Sequence, residues 1–299
     1  MFAFGAVGVH IFFVISGFIM VFTSNFISGF DAVAFFRRRI LRIYPIYWIC
    51  AGMYLIGHAM LGLRFNLSAI DFLGAIFLFP DFSFKIIGPG WTLSYEVFFY
   101  LCFGLFMTAG LNRGLVLLGI SFAFLVALGI VLPFDTPLWN FVTNSLLLEF
   151  LAGSAIGWLF TRNHLPHRGG GFVTILALSL FAAGILFGYD RFPSALMWGV
   201  PSALLIAGAV MMESKRQAPL WVQKVGYFGD SSYALYLIHL LVITIALQLS
   251  MKITLPIEFP PAVLAGFISI VALAIAEILH HRIEKPLLRT LNSRRRIPE

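Results

Sequence analysis

The chain has 299 residues, of which 60% are hydrophobic and only 11% are charged, and its mean hydropathy is +0.95. This balance excludes a soluble globular protein and is typical of an integral membrane protein built from helices. The net charge of +7 does not indicate nucleic-acid binding, because the basic residues fall mainly on one side of the predicted membrane.

Apolar segments predict nine membrane-spanning helices, so the expected fold is an all-α, polytopic membrane helical bundle in a single domain over 1–299. The spans are predicted at 2–24, 45–63, 91–109, 114–132, 138–160, 172–188, 197–212, 232–250 and 261–279. When Arg37–Arg42 are placed in the cytoplasm, 16 of the 20 Lys and Arg residues lie on that side. The positive-inside rule then places the C-terminus, with a basic tail at 287–299, in the cytoplasm.

Three features of the first spans and their connections predict local structure. Small residues in the first span, such as Gly8 and Gly17, let another helix approach closely. Residues 25–36 are expected to form a short cytoplasmic connector with an apolar face, an interfacial helix. The outer loop over 64–90 contains an apolar stretch, Phe72–Phe79, that is too short to span a membrane and predicts a re-entrant or interfacial segment.

A basic and aromatic segment marks the second span. Four arginines within Arg37–Arg42 come directly before the aromatic residues of Tyr44–Trp48. Charged groups are costly in hydrocarbon, whereas Tyr and Trp suit the headgroup layer, so this segment is expected at the cytoplasmic boundary. The guanidinium groups suit a phosphate-bearing ligand. The alternative, that they only determine topology, stays open.

Two acidic residues lie well inside predicted spans, whereas Glu277 lies at the end of the last one. Trp91 is expected to anchor the third span at the outer face, with Glu96 about 8 Å below it. Glu149 lies near the middle of the fifth span. An ionisable side chain inside a span indicates a functional site. A protonated carboxyl bonded to a neighbouring helix is the alternative for Glu96, and the indication for Glu149 is weaker.

Histidine and tyrosine side chains recur in the spans. Tyr233, Tyr236 and His239 are spaced three apart, so they share one strip of the eighth span. This strip predicts either a polar lining or hydrogen bonds between helices. His10, near mid-membrane in the first span, has the same two interpretations, and His58 is expected to be structural.

Neither a metal site nor a bound cofactor is expected. The two cysteines lie in apolar segments, and no cluster of Cys, His and acidic residues has the spacing of metal ligands. Glycine-rich nucleotide-binding loops are also missing from the sequence.

Five segments in this order resemble the acyltransferase-3 family of membrane O-acyltransferases, and within it most of all the exopolysaccharide O-acetyltransferases of the rhizobial type. The segments are GVHIFFVISGFIM (Gly8–Met20), RRRILRIYPIYW (Arg37–Trp48), WTLSYEVFFY (Trp91–Tyr100), SSYALYLIH (Ser231–His239) and HRIEKPLLR (His281–Arg289). They are spread over nearly the whole chain, and their order makes the resemblance specific.

The resemblance implies a ten-helix core in the bacterial inner membrane. It implies cytoplasmic acyl-CoA, usually acetyl-CoA, as the donor substrate and a carbohydrate hydroxyl at or beyond the outer face as the acceptor. The family's first helix carries an arginine and, eleven residues later, a histidine required for transfer. The resemblance therefore leads us to expect a helix before Met1.

The resemblance also assigns roles to individual residues. Arg39 and Arg42 match the arginine motif and are expected to bind acyl-CoA, and Glu96 and His239 are expected to be catalytic. The acceptor side and the acyl path would be lined by Trp91, Ser94, Tyr233, Tyr236 and His10, and the C-terminal signature comprises Glu284 and Pro286. Many members have Asp at the position of His10.

Two other functions stay open at this point. One is a transporter or flippase of a glycan intermediate, in which Glu96 and Glu149 would relay protons. No repeated halves or paired broken helices are evident in the sequence, which weighs against this alternative. The other is a truncated homologue with impaired catalysis or a role only in helix packing.

Overall fold

The computed structural model describes residues 7–24, 29–63, 65–166, 168–187, 193–213, 226, 229–252 and 260–293. Regular structure in this part of the chain is helical throughout, and it contains no strand, which confirms the all-α prediction. The α-helices are α1 (Val7–Thr23), α2 (Ala32–Met60), α3 (Ala69–Ile76), α4 (Gly90–Met107), α5 (Leu111–Val131), α6 (Pro137–Val142), α7 (Leu147–Thr161), α8 (Gly170–Phe187), α9 (Val200–Glu213), α10 (Ser232–Lys252), α11 (Pro261–Leu279) and α12 (Lys285–Ser293). Two π-helical turns, Ala195–Gly199 and His280–Glu284, precede α9 and α12.

Nine helical segments of the described residues match the nine predicted spans in order. Eight of them are long and apolar enough to cross a membrane by length and composition. The remaining one is α1, a shorter apolar helix of 17 residues. Large apolar side chains such as Ile120, Ile130 and Leu186 are exposed on these helices, as expected of surfaces that face lipid.

The second helix is longer than predicted, because α2 begins at Ala32. Asp31 caps this end, with its carboxylate accepting the Ala34 N–H at 2.9 Å, and arginine is a good helix former. Residues 32–36 of the expected connector are therefore helical, as predicted, but they are continuous with α2. Residues 25–28 lie outside the described part. The arginines project from a continuous helix.

The fifth predicted span is broken into α6 and α7. Thr143 and Asn144 lie at the break, and the Asn144 side chain accepts the Leu146 N–H at 3.0 Å. Such local side-chain bonds compete with the helical ladder. As a result, Glu149 lies in the first turn of α7, and it remains near the middle of the candidate span Pro137–Thr161 that α6 and α7 form together.

The chain divides into two compact units, each described by itself. The first comprises Met1–Phe36 and Tyr95–Ala218, and the second comprises Arg37–Ser94 and Pro219–Glu299. Helices α2 and α4 each contribute residues to both units. The single domain over 1–299 stays a prediction, and so does the tail, whose last six residues lie outside the described part.

In the first unit, α1 and α7 pack with their backbones in contact. A Cβ atom at Gly17 would lie 2.1 Å from the carbonyl oxygen of Phe150, and one at Gly153 would lie 1.9 Å from that of Val14. Only glycine fits at these two positions, because any side chain would overlap the neighbouring backbone. The prediction for Gly17 is confirmed, whereas Gly8 faces open space.

In the second unit, the outer loop folds back along α2. The Tyr47 hydroxyl donates to the carbonyl of Ala75 at 2.7 Å, and the Trp48 indole N–H donates to that of Ile76 at 3.0 Å. Tyr47 lies about 20 Å from the end of α2 at Met60, given a rise of 1.5 Å per residue. The end of α3 therefore reaches deep along the span, which makes this segment re-entrant rather than interfacial.

Polar contacts stabilise the re-entrant segment at the start of α3. Ser68 and Asp71 form a capping box, with each side chain accepting the other's backbone N–H. The Lys85 ammonium forms an ion pair with the Asp71 carboxylate and lies 5.0 Å from the centroid of the Phe82 ring. The hydrogen bond from Lys85, followed by those from Ser68, lowers the pKa of Asp71 to about 2.

Candidate functional site

The second unit places the late tyrosine next to the arginine motif of α2. Arg39 is buried and Arg42 is exposed. The Tyr233 hydroxyl donates to the carbonyl of Ile43, the residue that follows Arg42, at 3.1 Å. The start of α10 therefore lies beside the arginine end of α2.

The next tyrosine of the strip contacts the start of α4. The Tyr236 hydroxyl donates to the Pro89 carbonyl at 3.1 Å and lies 2.6 Å from the Thr92 hydroxyl. The start of α4 therefore packs against the first turns of α10 in the second unit. The position of Trp91 at the outer face stays a prediction.

Ser94 lies one turn further along α4 and is almost completely buried. Its hydroxyl has no hydrogen-bond partner among the residues that the structure describes. Buried hydroxyl groups are nearly always hydrogen-bonded, so a group without a protein partner is available to a ligand. Trp91, three residues earlier, is 38% exposed.

His239 is oriented by its own helix. Its Nδ1 lies 2.8 Å from the carbonyl oxygen of Tyr236 and 3.2 Å from that of Leu235. Carbonyl oxygens only accept hydrogen bonds, so Nδ1 carries the proton. In the neutral ring, Nε2 is then left with its lone pair and can act as a base.

A cavity of about 390 Å³ lies between α10 and α11 in the second unit. Tyr236 and His239 line it together with two serines, and the other lining residues are apolar. The lining residues are Ser232, Leu235, Tyr236, His239, Ile243, Ile268, Ser269 and Ala272. An apolar cavity with a few polar groups and one base has the chemistry of a small-molecule site.

Glu96 belongs to the first unit, although Ser94 precedes it by two residues on α4. Its carboxylate is buried and accepts a hydrogen bond from the Tyr100 hydroxyl, one turn later on the same helix. This contact lies within α4, so it does not test the alternative that Glu96 is bonded to a neighbouring helix. Its catalytic role stays a prediction.

Sequence reasoning missed that His10 and Glu149 form a pair. His10 Nδ1 lies 2.6 Å from Glu149 Oε1, and both side chains are buried in the first unit. Gly199, in the first π-helical turn, makes room for the carboxylate, since a Cβ atom there would lie 2.8 Å from Oε1. The only available signal was that a lone acid and a lone imidazole in spans each need a partner.

The C-terminal signature lies at the second π-helical turn. Glu284 is buried and bonds His280 at 3.0 Å, whereas Pro286 is exposed at the start of α12. Close by along the chain, Glu277 accepts from the Ser231 hydroxyl at 2.6 Å. Within the described residues, no group of three His, Cys, Asp or Glu residues could hold a metal ion.

Comparison with known proteins decides the family. The sequence profile of the acyltransferase-3 family, described as an acyltransferase domain, matches residues 1–279. The chain belongs to the acyltransferase-3 family. It is 32% identical over 307 aligned positions to the exopolysaccharide production protein ExoZ of Rhizobium meliloti (strain 1021), covering 98% of this chain and 93% of that protein. No solved structure matches at a significant level.

Membership of the acyltransferase-3 family shows that the chain is an acyltransferase and a multi-pass membrane protein. It favours an enzyme over the transporter considered above. The resemblance singled out Tyr233, Tyr236 and His239 of the second unit. Tyr233 contacts α2 beside the arginine motif, and Tyr236 contacts the start of α4.

Proposed function

We propose that this acyltransferase transfers an acetyl group from acetyl-CoA to a hydroxyl of an exopolysaccharide. Family membership supports the reaction class, and the name of the similar rhizobial protein supports the acceptor. The observation that carries the proposal is the orientation of His239, which has Nδ1 bonded to carbonyl oxygens and Nε2 free as a base beside a cavity.

The enzyme has to supply a base for this reaction, whereas the donor is already activated. A thioester already has a reactive carbonyl, so the slow part is to deprotonate and orient the acceptor hydroxyl. His239 Nε2 takes the hydroxyl proton as the oxygen attacks the thioester carbonyl. The C–S bond breaks, the CoA thiolate leaves, and the proton passes from Nε2 to the sulfur.

The surrounding hydroxyl groups position the reactants. Tyr236 is bonded to Pro89 and Thr92, which connects the cavity to the start of α4. The buried Ser94 hydroxyl, which has no partner among the described residues, accepts or donates one hydrogen bond to a substrate. Trp91 offers an exposed aromatic surface.

The donor enters from the arginine end of α2. Arg42 and the buried Arg39 bind the phosphates of CoA, because guanidinium groups form charge-assisted hydrogen bonds with phosphate oxygens. The excess of basic residues on this side supports a cytoplasmic location. In a bacterial inner membrane, the C-terminus is then also cytoplasmic and the polysaccharide is modified on the opposite side.

The test is acetyl transfer in membranes that contain wild-type protein, the His239→Gln variant or the His58→Gln variant. His58 is the matched control, since its Nδ1 also bonds a carbonyl of its own helix, that of Tyr54 at 2.9 Å. Radiolabelled acetyl-CoA and purified exopolysaccharide are the substrates, and labelled polysaccharide is counted.

We expect His239→Gln to lower the transfer rate by about 10²-fold or more, the usual contribution of a general base. His58→Gln should keep a rate within about twofold of the wild type. Equal rates for the wild type and His239→Gln, at equal amounts of folded protein, would refute the role of His239.

A further inference from the structure

A polar cavity lies where several segments of the first unit meet. Its volume is about 450 Å³. The end of α4, the start of α5, the end of α7 and the residues before α2 line it. The lining residues are Gly29, Phe30, Met107, Thr108, Ala109, Gly110, Leu111, Asn112, Arg113 and Arg162. None of them lines the cavity at His239.

Two arginines and an amide give this cavity its chemistry. Arg162 donates to the Asn112 side-chain oxygen at 3.4 Å, and the Trp158 indole N–H donates to the same oxygen at 2.9 Å. Since both bonds use the amide oxygen, the NH₂ group of Asn112 keeps its donors for another partner. Arg113 adds a second guanidinium group. The lining is therefore positively charged and rich in donors.

None of the described residues that line the cavity is acidic, so no lining side chain neutralises this positive charge. The acid next to the lining in sequence is Asp31, which follows Phe30. Its carboxylate is already used to cap α2, where it accepts the Ala34 N–H at 2.9 Å. The cavity therefore has the charge and the donors for an anion of phosphate type.

The position of the cavity identifies the source of that anion. The cavity lies at the end of α4, the start of α5 and the end of α7. These are apolar helices, and lipid headgroups surround the termini of helices that span a membrane. The excess of basic residues places Arg113 and Arg162 on the cytoplasmic side. Basic pockets between helices on this side bind the headgroups of anionic lipids.

We propose that this cavity binds the phosphate of an anionic phospholipid from the cytoplasmic leaflet. Arg113 and Arg162 bind the phosphate oxygens, and the Asn112 amide donates the third contact. Both guanidinium groups are exposed, so binding weakens as salt increases. The proposal does not depend on acyl transfer, because it uses other residues and a readout without catalysis.

The experiment measures binding to purified full-length protein in a neutral detergent. Phosphatidylglycerol, zwitterionic phosphatidylcholine and soluble 3′,5′-ADP are added separately, and native mass spectrometry and the thermal unfolding midpoint record binding. The variants are Arg113→Gln, Arg113→Gln/Arg162→Gln and, as a control, Arg282→Gln, which removes an exposed arginine of the second unit.

We expect phosphatidylglycerol to bind and to raise the unfolding midpoint, with phosphatidylcholine binding more weakly. The double variant should lose about tenfold or more in affinity, and Arg113→Gln alone about fivefold, because each arginine near the membrane contributes a similar share. The single variant leaves the Arg162–Asn112 bond in place, so it tests the site even if the double variant is unstable. The control should bind as the wild type does.

Two results would overturn the proposal. Equal phosphatidylglycerol affinity in the wild type and in Arg113→Gln would show that the cavity is not the site. A response to 3′,5′-ADP that is lost in Arg113→Gln, without a response to phosphatidylglycerol, would show that a soluble phosphate compound, and not a lipid, is the ligand of this cavity.

Discussion

Two histidines of this acyltransferase have different partners at Nδ1. His239 donates to carbonyl oxygens of its own helix. His10 faces the carboxylate of Glu149, a residue of another helix. That contact connects α1 with α7 in an apolar interior, although Glu149 Oε2 has no hydrogen-bond partner among the described residues.

Replacing one member of the buried pair should cost more than replacing both. Glu149→Leu leaves His10 without its partner and should lower the free energy of unfolding by about 3 kcal/mol. His10→Leu/Glu149→Leu should recover most of this loss, since no unpaired polar group remains. Denaturation in detergent measures both variants. Additive losses would show that the two side chains do not stabilise one another.

At the scale of elements, aromatic residues of α2 cap the end of α3. The last carbonyl groups of a helix have no partner within it, and here the Tyr47 hydroxyl and the Trp48 indole supply donors. The Tyr44 hydroxyl adds a bond to the Phe77 carbonyl at 3.1 Å. These side chains were expected in the headgroup layer, and the structure shows them satisfying a re-entrant backbone instead.

The other end of α3 depends on the ion pair between Lys85 and Asp71. Lys85→Met should increase amide hydrogen exchange over 69–76 by about fivefold, because the capping box remains but loses its charged partner. Lys285→Met, which removes an exposed lysine on α12, is the control. Unchanged exchange in Lys85→Met would show that the capping box alone stabilises this end.

The same ion pair predicts a pH dependence. The pKa of Asp71 is lowered to about 2 in the folded protein, from an ordinary value of about 4. The stabilisation by the charged carboxylate is therefore complete above about pH 4 and is lost as the pH falls towards 2. The protection of the amides over 69–76, which is the factor by which their exchange is slower than the intrinsic rate at each pH, should fall in this window in the wild type, and Lys85→Met should show a smaller fall.

At the scale of the whole molecule, composition and charge placement were enough to predict the helical membrane fold. Apolar segments of sufficient length can only be buried in lipid as helices, so nine spans followed from hydropathy. The strip of Tyr233, Tyr236 and His239 followed from helical spacing. The structure places Tyr236 and His239 in one cavity and Tyr233 beside the arginine motif.

Other features needed the fold, because hydropathy carries no information on which helices meet. His10 and Glu149 are 139 positions apart, and no spacing rule connects them. The contact between Tyr236 and the start of α4 depends on the fold of the loop before α4, and no spacing rule predicts it. The break before α7 depended on local bonds of Asn144 that interrupt an apolar segment.

The proposed reaction places the donor at the arginine end of α2 and the modified polysaccharide on the opposite side of the membrane. The measurement is acetyl transfer in sealed proteoliposomes of known orientation, with labelled acetyl-CoA outside and exopolysaccharide oligosaccharides enclosed. Arg42→Gln is compared with Arg38→Gln, since both arginines are exposed.

We expect labelled oligosaccharide only in vesicles in which the arginine end of α2 faces the acetyl-CoA. Arg42→Gln should need about fivefold more acetyl-CoA for the same rate, which corresponds to the loss of one exposed contact to phosphate, and Arg38→Gln should match the wild type. Transfer that occurs only when acetyl-CoA is on the side opposite the arginines would contradict the claim.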